Sequence, residues 1–276
     1  MSTACGLPSC GGGVTYIAMH RRLVFEEPVS RAAVWSRRLA WFSLAVLLLS
    51  FLAFRAGEPS LERLAPIAAA YLVVLLALLL SLLAFARIWQ SGHRGVGMAS
   101  GAFLLCAVML VPAGYAGFRL VTLPALADIS TDIDDPPAFS RSRVALEARN
   151  GRVPPDVAPL RRRVQRQAYP KAVPIVLEVP AEIAFDIARR AALARGWRVL
   201  ESTRPGGRSG SGRIEAVAHS RIAQTSEDIT IRVRPRADGS RIDIRSASRL
   251  GPHDLGINAT RIAAFADEVD LLVEAR

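Results

Sequence analysis

A short acidic loop in the middle of the chain is the first candidate for chemistry. The sequence DISTDIDDPPAF (128–139) places four carboxylates close together, namely Asp128, Asp132, Asp134 and Asp135. Such a cluster could hold a divalent cation through oxygen ligands, or perform acid–base chemistry with one pKa raised by a neighbouring charge. The spacing does not fit an EF-hand. The structural alternative is a turn whose acids bond to nearby backbone N–H groups or pair with arginines.

A polar sheet face, formed by alternate residues of three predicted strands, is the second candidate. The strands at 213–219, 228–234 and 241–246 alternate apolar and polar residues, which places the polar ones on one side. They are Glu215, His219, Arg232, Arg234, Arg241, Asp243 and Arg245. Opposite charges on neighbouring strands usually form a solvated lattice, and we expect one here. An anion-binding face, or a surface packed against residues 128–170, is the alternative.

The familiar catalytic and cofactor motifs are missing from this sequence. It has no GxSxG, P-loop, HExxH, paired CxxC or Rossmann glycine pattern. Residues 107–276 contain no cysteine, which excludes a disulfide or thiolate metal site there. The catalytic residues are therefore unknown. No cofactor is evident beyond a divalent cation that the aspartates could hold, and the sequence leans away from an enzyme.

Three uncharged apolar runs precede both candidates, at residues 39–54, 64–86 and 96–118. A bilayer is crossed by about 20 apolar residues, so each run predicts a transmembrane helix, the first extended by Val34. None contains Asp, Glu, Lys, Arg or His, which argues against a transporter or pump. Gly97 and Gly101 form a small-xxx-small pair, which predicts close helix packing within the chain or in a homo-oligomer.

The charges of the short loops predict an orientation. Arginines flank the first run on its N-terminal side and occupy loop 87–95, whereas loop 55–63 balances arginines with glutamates. Positively charged loops stay in the cytoplasm. We therefore expect a bacterial inner-membrane protein with a cytoplasmic N-terminus and a periplasmic C-terminal domain. The net charge of +11 then favours anionic lipid over nucleic acid as a partner. The other expected partners are the bilayer itself and an envelope protein.

The C-terminal part has the pattern of an α+β domain. Five predicted strands, a helix after Pro180 and a final helix that Asn258 could cap follow one another in the order β-α-β-β-β-β-α. This order predicts an antiparallel sheet covered by two helices, a two-layer domain after three N-terminal transmembrane helices. We divide the chain into a cytoplasmic tail (1–33), the transmembrane anchor (34–120), an irregular acidic and proline-rich connection (121–172) and the extracytoplasmic domain (173–276).

Several segments resemble a known family. Together with the acidic loop, the segments GRIEAVAHS (212–220), EDITIRV (227–233), GSRIDIRSASRLG (239–251) and DLGINATRIAAF (254–265) are similar, in this order, to the domain-of-unknown-function 1499 family. The resemblance covers roughly residues 124–270, and the apolar N-terminal part looks like the membrane-anchored bacterial members. It implies the fold and a membrane context, and it carries over no catalytic residue.

These observations favour a non-enzymatic integral membrane protein with an accessory role in the bacterial envelope, whose periplasmic domain has a binding or structural task. The alternative is a periplasmic hydrolase that uses the carboxylates of the acidic loop, or a metal held by them, on an anionic envelope substrate.

Overall fold

Three long helices form the N-terminal part of the computed structural model, which describes residues 28–57, 60, 62–206, 210–220 and 224–276. Most of the predicted cytoplasmic tail, residues 1–27, lies outside the described residues. The helices are α1 (Arg31–Ala56), α2 (Ala65–Ser91) and α3 (Val96–Thr122). Each is long and apolar enough to cross a membrane, which supports the predicted anchor.

Residue size decides how the three helices pack together. Small residues such as Ala40, Ala77 and Ala102 occupy the buried positions between them. Large apolar residues such as Leu49 and Leu72 are exposed on the outer surface. A bundle in water would bury its large apolar side chains, so this arrangement fits lipid, in which small residues let helices approach closely.

Gly97 and Gly101 lie on the outer surface of α3. Both are exposed, and a Cβ atom built at either would meet no described atom within 4 Å. The buried contacts of α3 are made instead by residues such as Ala99 and Ala102. The pair is therefore not used for packing within the chain, and the homo-oligomer stays a prediction.

The C-terminal domain is built on one antiparallel sheet. Among the described residues its strands are β1 (Asp128–Ser130), β2 (Ile175–Leu177), β3 (Arg198–Thr203), β4 (Gly212–His219), β5 (Ser226–Arg236) and β6 (Gly239–Ser248). Strands β3, β4, β5 and β6 are neighbours in that order, and β1 and β2 both pair with the outer edge of β6. The predicted α+β class is confirmed. Strand β1 was not predicted, because three residues are too few to show a period.

Two helices cover one face of the sheet, namely α6 (Ala181–Ala194) and α7 (Ile257–Glu274). The inward residues of the central strands, such as Ile231 and Ile244, are fully buried beneath them. Trp197 and Phe265 stack with their ring centroids 5.3 Å apart. The predicted Asp238-Gly239 turn joins β5 to β6. A Cβ at Gly239 would lie 2.1 Å from the Leu177 carbonyl oxygen, so only glycine fits there.

The opposite, polar face of the sheet is covered as well. Helix α4 (Arg143–Ala148) and the irregular chain around it lie on this side, where Arg149 reaches Glu215 of β4. Helix α5 (Pro159–Ala168) lies at the β1 edge, where Gln165 bonds to Ser130 and Val164 packs against the core. We call residues 131–158 the cover segment, and its side chains Phe139, Ala145 and Arg149 are buried. The two-layer prediction left this face open to water.

A short connection holds the domain against the end of α3. The carbonyl oxygen of Ala127 accepts the Ser248 N–H at 2.7 Å and the Asn258 Nδ2 at 3.0 Å. Arg119, in the last turn of α3, donates from Nε and Nη2 to the Leu255 carbonyl at 3.0 and 2.8 Å. The domain is therefore fixed to the anchor by hydrogen bonds and is not a body on a free tether.

The core face predicts a clear difference between two truncations. Ile244→Ala removes a fully buried side chain between β6 and the helices, and we expect it to lower the free energy of unfolding by about 2–5 kcal/mol. Leu193→Ala, at a half-exposed position of α6, is the matched control and should cost much less. Urea unfolding of the full chain in detergent measures both, and equal losses would contradict this assignment of the core.

Candidate functional site

The acidic loop lies over strands β5 and β6, and Asp132 is its anchor. One oxygen of the Asp132 carboxylate accepts from Nη2 of Arg232 at 3.2 Å, of Arg234 at 2.8 Å and of Arg241 at 2.7 Å. The other oxygen accepts the backbone N–H of Asp135 at 3.0 Å. A single carboxylate thus bonds three guanidinium groups and closes the turn of its own loop.

The pKa of Asp132 follows from these contacts. Burial alone would raise the pKa, because it removes water from the charged form. The Asp135 N–H and the guanidinium groups outweigh burial and hold the pKa of Asp132 below its usual range. Asp132 is therefore ionised at neutral pH, whereas a general acid needs a pKa close to the working pH.

Two further carboxylates complete this cluster. Asp243, fully buried on β6, accepts from Arg234 Nη2 at 2.6 Å and Arg241 Nε at 2.7 Å. Asp135 accepts from Arg232 Nη1 at 2.9 Å and Arg234 Nη1 at 3.2 Å. We call the three acids and three arginines the Asp132 group, and their formal charges cancel. Within the described residues, no three His, Cys, Asp or Glu side chains are arranged to hold a metal ion.

The other two aspartates of the loop lie outside the Asp132 group. Asp134 is exposed and pairs with the exposed Arg166 of α5 at 2.8 Å. Asp128, on β1, pairs with Arg245 of β6 at 2.7 Å. Burial raises the pKa of Asp128, and the bonds from Arg245 oppose that rise. Of the four predicted ligands, Asp132 and Asp135 thus share arginines of the Asp132 group, whereas Asp134 and Asp128 pair with other arginines.

The cover segment places an arginine on the polar sheet face. Arg149, which follows α4, forms an ion pair with Glu215 of β4, and both side chains are fully buried. Arg149 Nη1 donates to the Ser140 carbonyl at 2.7 Å, and its Nε lies 3.3 Å from Asp228 Oδ1. Glu215 also accepts the Thr230 hydroxyl at 2.8 Å and the Ser140 N–H at 3.0 Å. Burial raises the pKa of Glu215, and these partners oppose the rise.

The expected solvent exposure of the polar sheet face is therefore wrong for Glu215, Asp243 and Arg245, which are all buried. The physical reason is the cover segment, which excludes water and supplies Arg149 as a buried counter-charge. Arg232 and Arg234 remain partly exposed at the edge of the covered area. The face packs against the cover segment, as the alternative interpretation described.

Phe139 closes the covered face between two arginines. Its ring centroid lies 5.0 Å from Cζ of Arg149 and 4.8 Å from Cζ of Arg245. Arg245 also donates from Nη2 to the Pro155 carbonyl at 2.9 Å and from Nη1 to the Pro137 carbonyl at 3.3 Å. The aromatic ring and the two proline carbonyls replace water around the guanidinium groups.

Within the described residues, neither His219 nor His253 contacts both a serine and a carboxylate, as a nucleophilic set would require. His219 is exposed at the end of β4, where its Nδ1 lies 3.3 Å from the Ser226 hydroxyl. Ser246 donates to Asn258 Oδ1 at 2.8 Å. His253 Nε2 lies 3.1 Å from the carbonyl oxygen of Leu123, the residue that follows α3.

Asn258 is not the cap of the final helix. Helix α7 begins one residue before it, so Asn258 lies inside the first turn, where it is buried. Asp254 accepts the N–H of Gly256 at 2.8 Å and the N–H of Asn258 at 2.7 Å, which satisfies the first free donors of α7.

Two buried ion pairs escaped the sequence analysis. The sequence did not predict that Arg149 and Asp228 are buried, because a single arginine after a six-residue helix resembles any exposed arginine. The pair between Glu227 and Arg261 joins β5 to α7, and both side chains are almost fully buried. The alternation of β5 could have drawn attention to Glu227 and Asp228, but their partners lie far away in the chain.

An open cavity of about 590 Å³ lies beside the covered face. We call it the loop cavity, because one wall is the loop 152–158 and the other is the end of β6 with residues 249–252. Apolar and proline residues form much of its lining, including Leu126, Val153, Pro154, Val157 and Pro252. Arg152 and Arg161 lie at its rim, and neither forms an ion pair with a described residue.

The buried ion pair between Arg149 and Glu215 predicts a large effect on stability. Arg149→Ala leaves Glu215 without its counter-charge, so we expect a loss of about 3–5 kcal/mol in the free energy of unfolding. Arg143→Ala is the matched control, because its pair with Glu147 on α4 is exposed and should contribute less than about 1 kcal/mol. Urea unfolding measures both. Similar small losses would show that the cover segment does not seal the face.

The Asp132 group predicts a pH-dependent effect. Because the pKa of Asp132 is lowered on folding, its stabilisation is complete above the unfolded value of about 3.9 and is lost as pH falls through the folded pKa. Asp132→Asn should therefore lower the melting temperature at neutral pH, and the difference from wild type should shrink below about pH 4. Asp134→Asn, in an exposed pair, is the control and should melt like wild type.

The same variants separate a structural turn from a metal site. Because arginines already neutralise the carboxylates of the Asp132 group, we expect Asp132→Asn to melt low even in chelator. We also expect Ca²⁺, Mg²⁺, Mn²⁺ or Zn²⁺ to leave the wild-type melting temperature unchanged. A wild-type increase that Asp132→Asn abolishes would contradict this, since binding at about 100 times Kd stabilises by roughly 2.7 kcal/mol.

Comparisons with known proteins agree with this architecture. A search of curated proteins and a search of solved structures found no match. The family described as Protein of unknown function (DUF1499) matches residues 128–269, which run from the first residue of β1 into α7 and leave out the three apolar N-terminal helices. The resemblance expected from the sequence is thus confirmed for the domain. This protein belongs to the DUF1499 family, whose region here is the domain that carries the Asp132 group and the covered sheet face.

Proposed function

We propose that this protein is an integral membrane protein whose α+β domain serves as a binding module on the extracytoplasmic side of a bacterial inner membrane. The three apolar helices support the anchor, and the arginines of the flank and of loop 87–95 support this orientation. The hydrogen bonds from Arg119 of α3 to the Leu255 carbonyl support a position of the domain close to the bilayer surface.

The loop cavity is the observation that carries this proposal. Ion pairs within the chain already use the acidic and basic groups of the Asp132 group and the covered face. The loop cavity instead has many apolar lining residues and two exposed arginines, Arg152 and Arg161, that form no ion pair with a described residue. Its lining also includes one exposed acid, Asp156, which lies 3.9 Å from Arg245 Nη1. Apolar walls with a few polar groups are the usual composition of a small-molecule site. Its chemistry fits a small amphipathic anion of the envelope, with an acyl group inside and a carboxylate or phosphate at the rim.

A hydrolase is less well supported by the same geometry. The carboxylates that would perform acid–base chemistry are bonded to several arginines, and Asp132 has a lowered pKa. An anionic substrate would have to compete with these acids for the same arginines. The envelope accessory role therefore remains the better proposal.

Photolabelling tests the loop cavity directly. The full chain in detergent is incubated with a fatty acid that carries a diazirine, irradiated, and digested for mass spectrometry. We expect labelled peptides from 152–161 and 247–252. Ala158→Trp fills one wall of the cavity and should reduce this labelling at least tenfold, whereas Ala194→Trp, at an exposed position on α6, should leave it unchanged.

Two results would overturn the proposal. Labels confined to α1, α2 and α3 would show that the probe recognises only the membrane surface of the bundle. A reporter fused after Arg276 that is active only in the cytoplasm would overturn the orientation.

A further inference from the structure

A second cavity lies where the membrane anchor meets the domain. It has a volume of about 440 Å³, and we call it the junction cavity. Arg119 and Leu123 at the end of α3 form one side, residues 168–172 form another, and the first turns of α7 form the third. The loop cavity shares none of these lining residues.

The membrane helix fixes the depth of the junction cavity. The uncharged stretch of α3 ends at Phe118, and the helix itself ends at Thr122. Phe118, Leu120 and Val121 are large apolar residues that point outward and are 64%, 52% and 88% exposed. If these residues contact lipid, then Arg119 lies at the level of the headgroups, where basic residues at helix ends are usually found.

The cavity has two positive charges that no acid in its lining neutralises. Arg119 donates to a neutral acceptor, the Leu255 carbonyl, so its guanidinium keeps its charge. Lys171 is exposed and forms no ion pair with a described residue, and it is the only lysine of the chain. Outside the lining, Asp254 acts electrostatically on Tyr169, and its carboxylate oxygens accept the N–H groups of Gly256 and Asn258.

A hydroxyl group in the same cavity has no partner. The Tyr169 hydroxyl oxygen is buried and forms no hydrogen bond with any described residue. Burial raises the pKa of Tyr169, as does Asp254, while Arg119 opposes the rise, so the hydroxyl keeps its proton and can donate it. A Cβ built at Gly256 would lie 2.7 Å from Arg119 Nη2 and 3.4 Å from Tyr169 Oη. The guanidinium and the hydroxyl therefore converge beside Gly256.

We propose that the junction cavity binds the phosphate of an anionic phospholipid, with Arg119 and Lys171 as its counter-charges and the Tyr169 hydroxyl as a hydrogen-bond donor. A phosphate oxygen can accept from a guanidinium and a hydroxyl at once, and it would satisfy the buried Tyr169 donor. This inference goes beyond the proposed binding module. It depends on α3 crossing the bilayer and is independent of any ligand in the loop cavity.

Thermal melting of the full chain in a neutral detergent tests this site with three probes, namely phosphatidylglycerol, phosphatidylcholine and inorganic phosphate. We expect phosphatidylglycerol to raise the melting temperature with a saturable dependence, and phosphatidylcholine to do so less. Lys171→Gln should weaken the apparent affinity for phosphatidylglycerol about fivefold, which corresponds to about 1 kcal/mol for one basic residue at a membrane surface. Arg163→Gln removes the same charge from an exposed position of α5 outside the cavity and should have no effect.

Tyr169→Phe distinguishes binding from structure. Because the hydroxyl has no partner among the described residues, its removal should leave the melting temperature without lipid unchanged or slightly raised, and should still weaken phosphatidylglycerol binding. Arg119 is unsuitable for this comparison, since it also holds α3 to Leu255.

Each outcome decides the proposal. Weakening by Lys171→Gln and Tyr169→Phe but not by Arg163→Gln supports it. Competition by inorganic phosphate, with the same sensitivity to the variants, supports phosphate recognition and assigns it to a soluble ion as well as a headgroup. A lipid effect that is unchanged in both cavity variants, or reduced equally by Arg163→Gln, overturns the site, even if photolabelling still confirms the loop cavity.

Discussion

The buried ion pair between Arg149 and Glu215 determines how the domain is arranged around its sheet. A charge without water is tolerated only when a counter-charge and hydrogen bonds surround it, and the cover segment supplies both. Replacing such a pair by apolar residues is often neutral or stabilising, so its role here is better understood as specificity than as net stability. In the observed placement of the cover segment, Arg149 contacts both Glu215 and Asp228, and Phe139 lies against Arg149.

Charge balance explains how the most conspicuous acids of the sequence are held. Three acids and three arginines in the Asp132 group satisfy one another across the acidic loop, β5 and β6. Through these ion pairs the carboxylates hold the acidic loop against the sheet. Basic residues without an ion pair to a described residue line both the loop cavity and the junction cavity.

The junction with α3 gives the domain a defined place beside the end of that helix. Arg119 bonds to the chain just before α7, and the backbone of Ala127 bonds to β6 and α7. These contacts connect the anchor to the sheet through only a few residues of chain. The junction cavity has Arg119 of α3 in its lining, and the loop cavity has Leu126 and Ala127 of the connection that follows α3.

The amino-acid sequence by itself determined the elements whose signal is periodic and local. The apolar runs determined α1, α2 and α3, the alternation determined β4, β5 and β6, and Asp238-Gly239 determined the hairpin. The α+β class followed from their order. Only the tertiary structure decided what covers the polar face, because the partners of Glu215, Asp228 and Asp132 lie tens of residues away and an arginine looks the same in sequence whether it is exposed or buried. The sequence did not predict strand β1, nor that Arg119 and Lys171 lack an ion-pair partner among the described residues, for the same reason. Pairing and burial are properties of the folded chain.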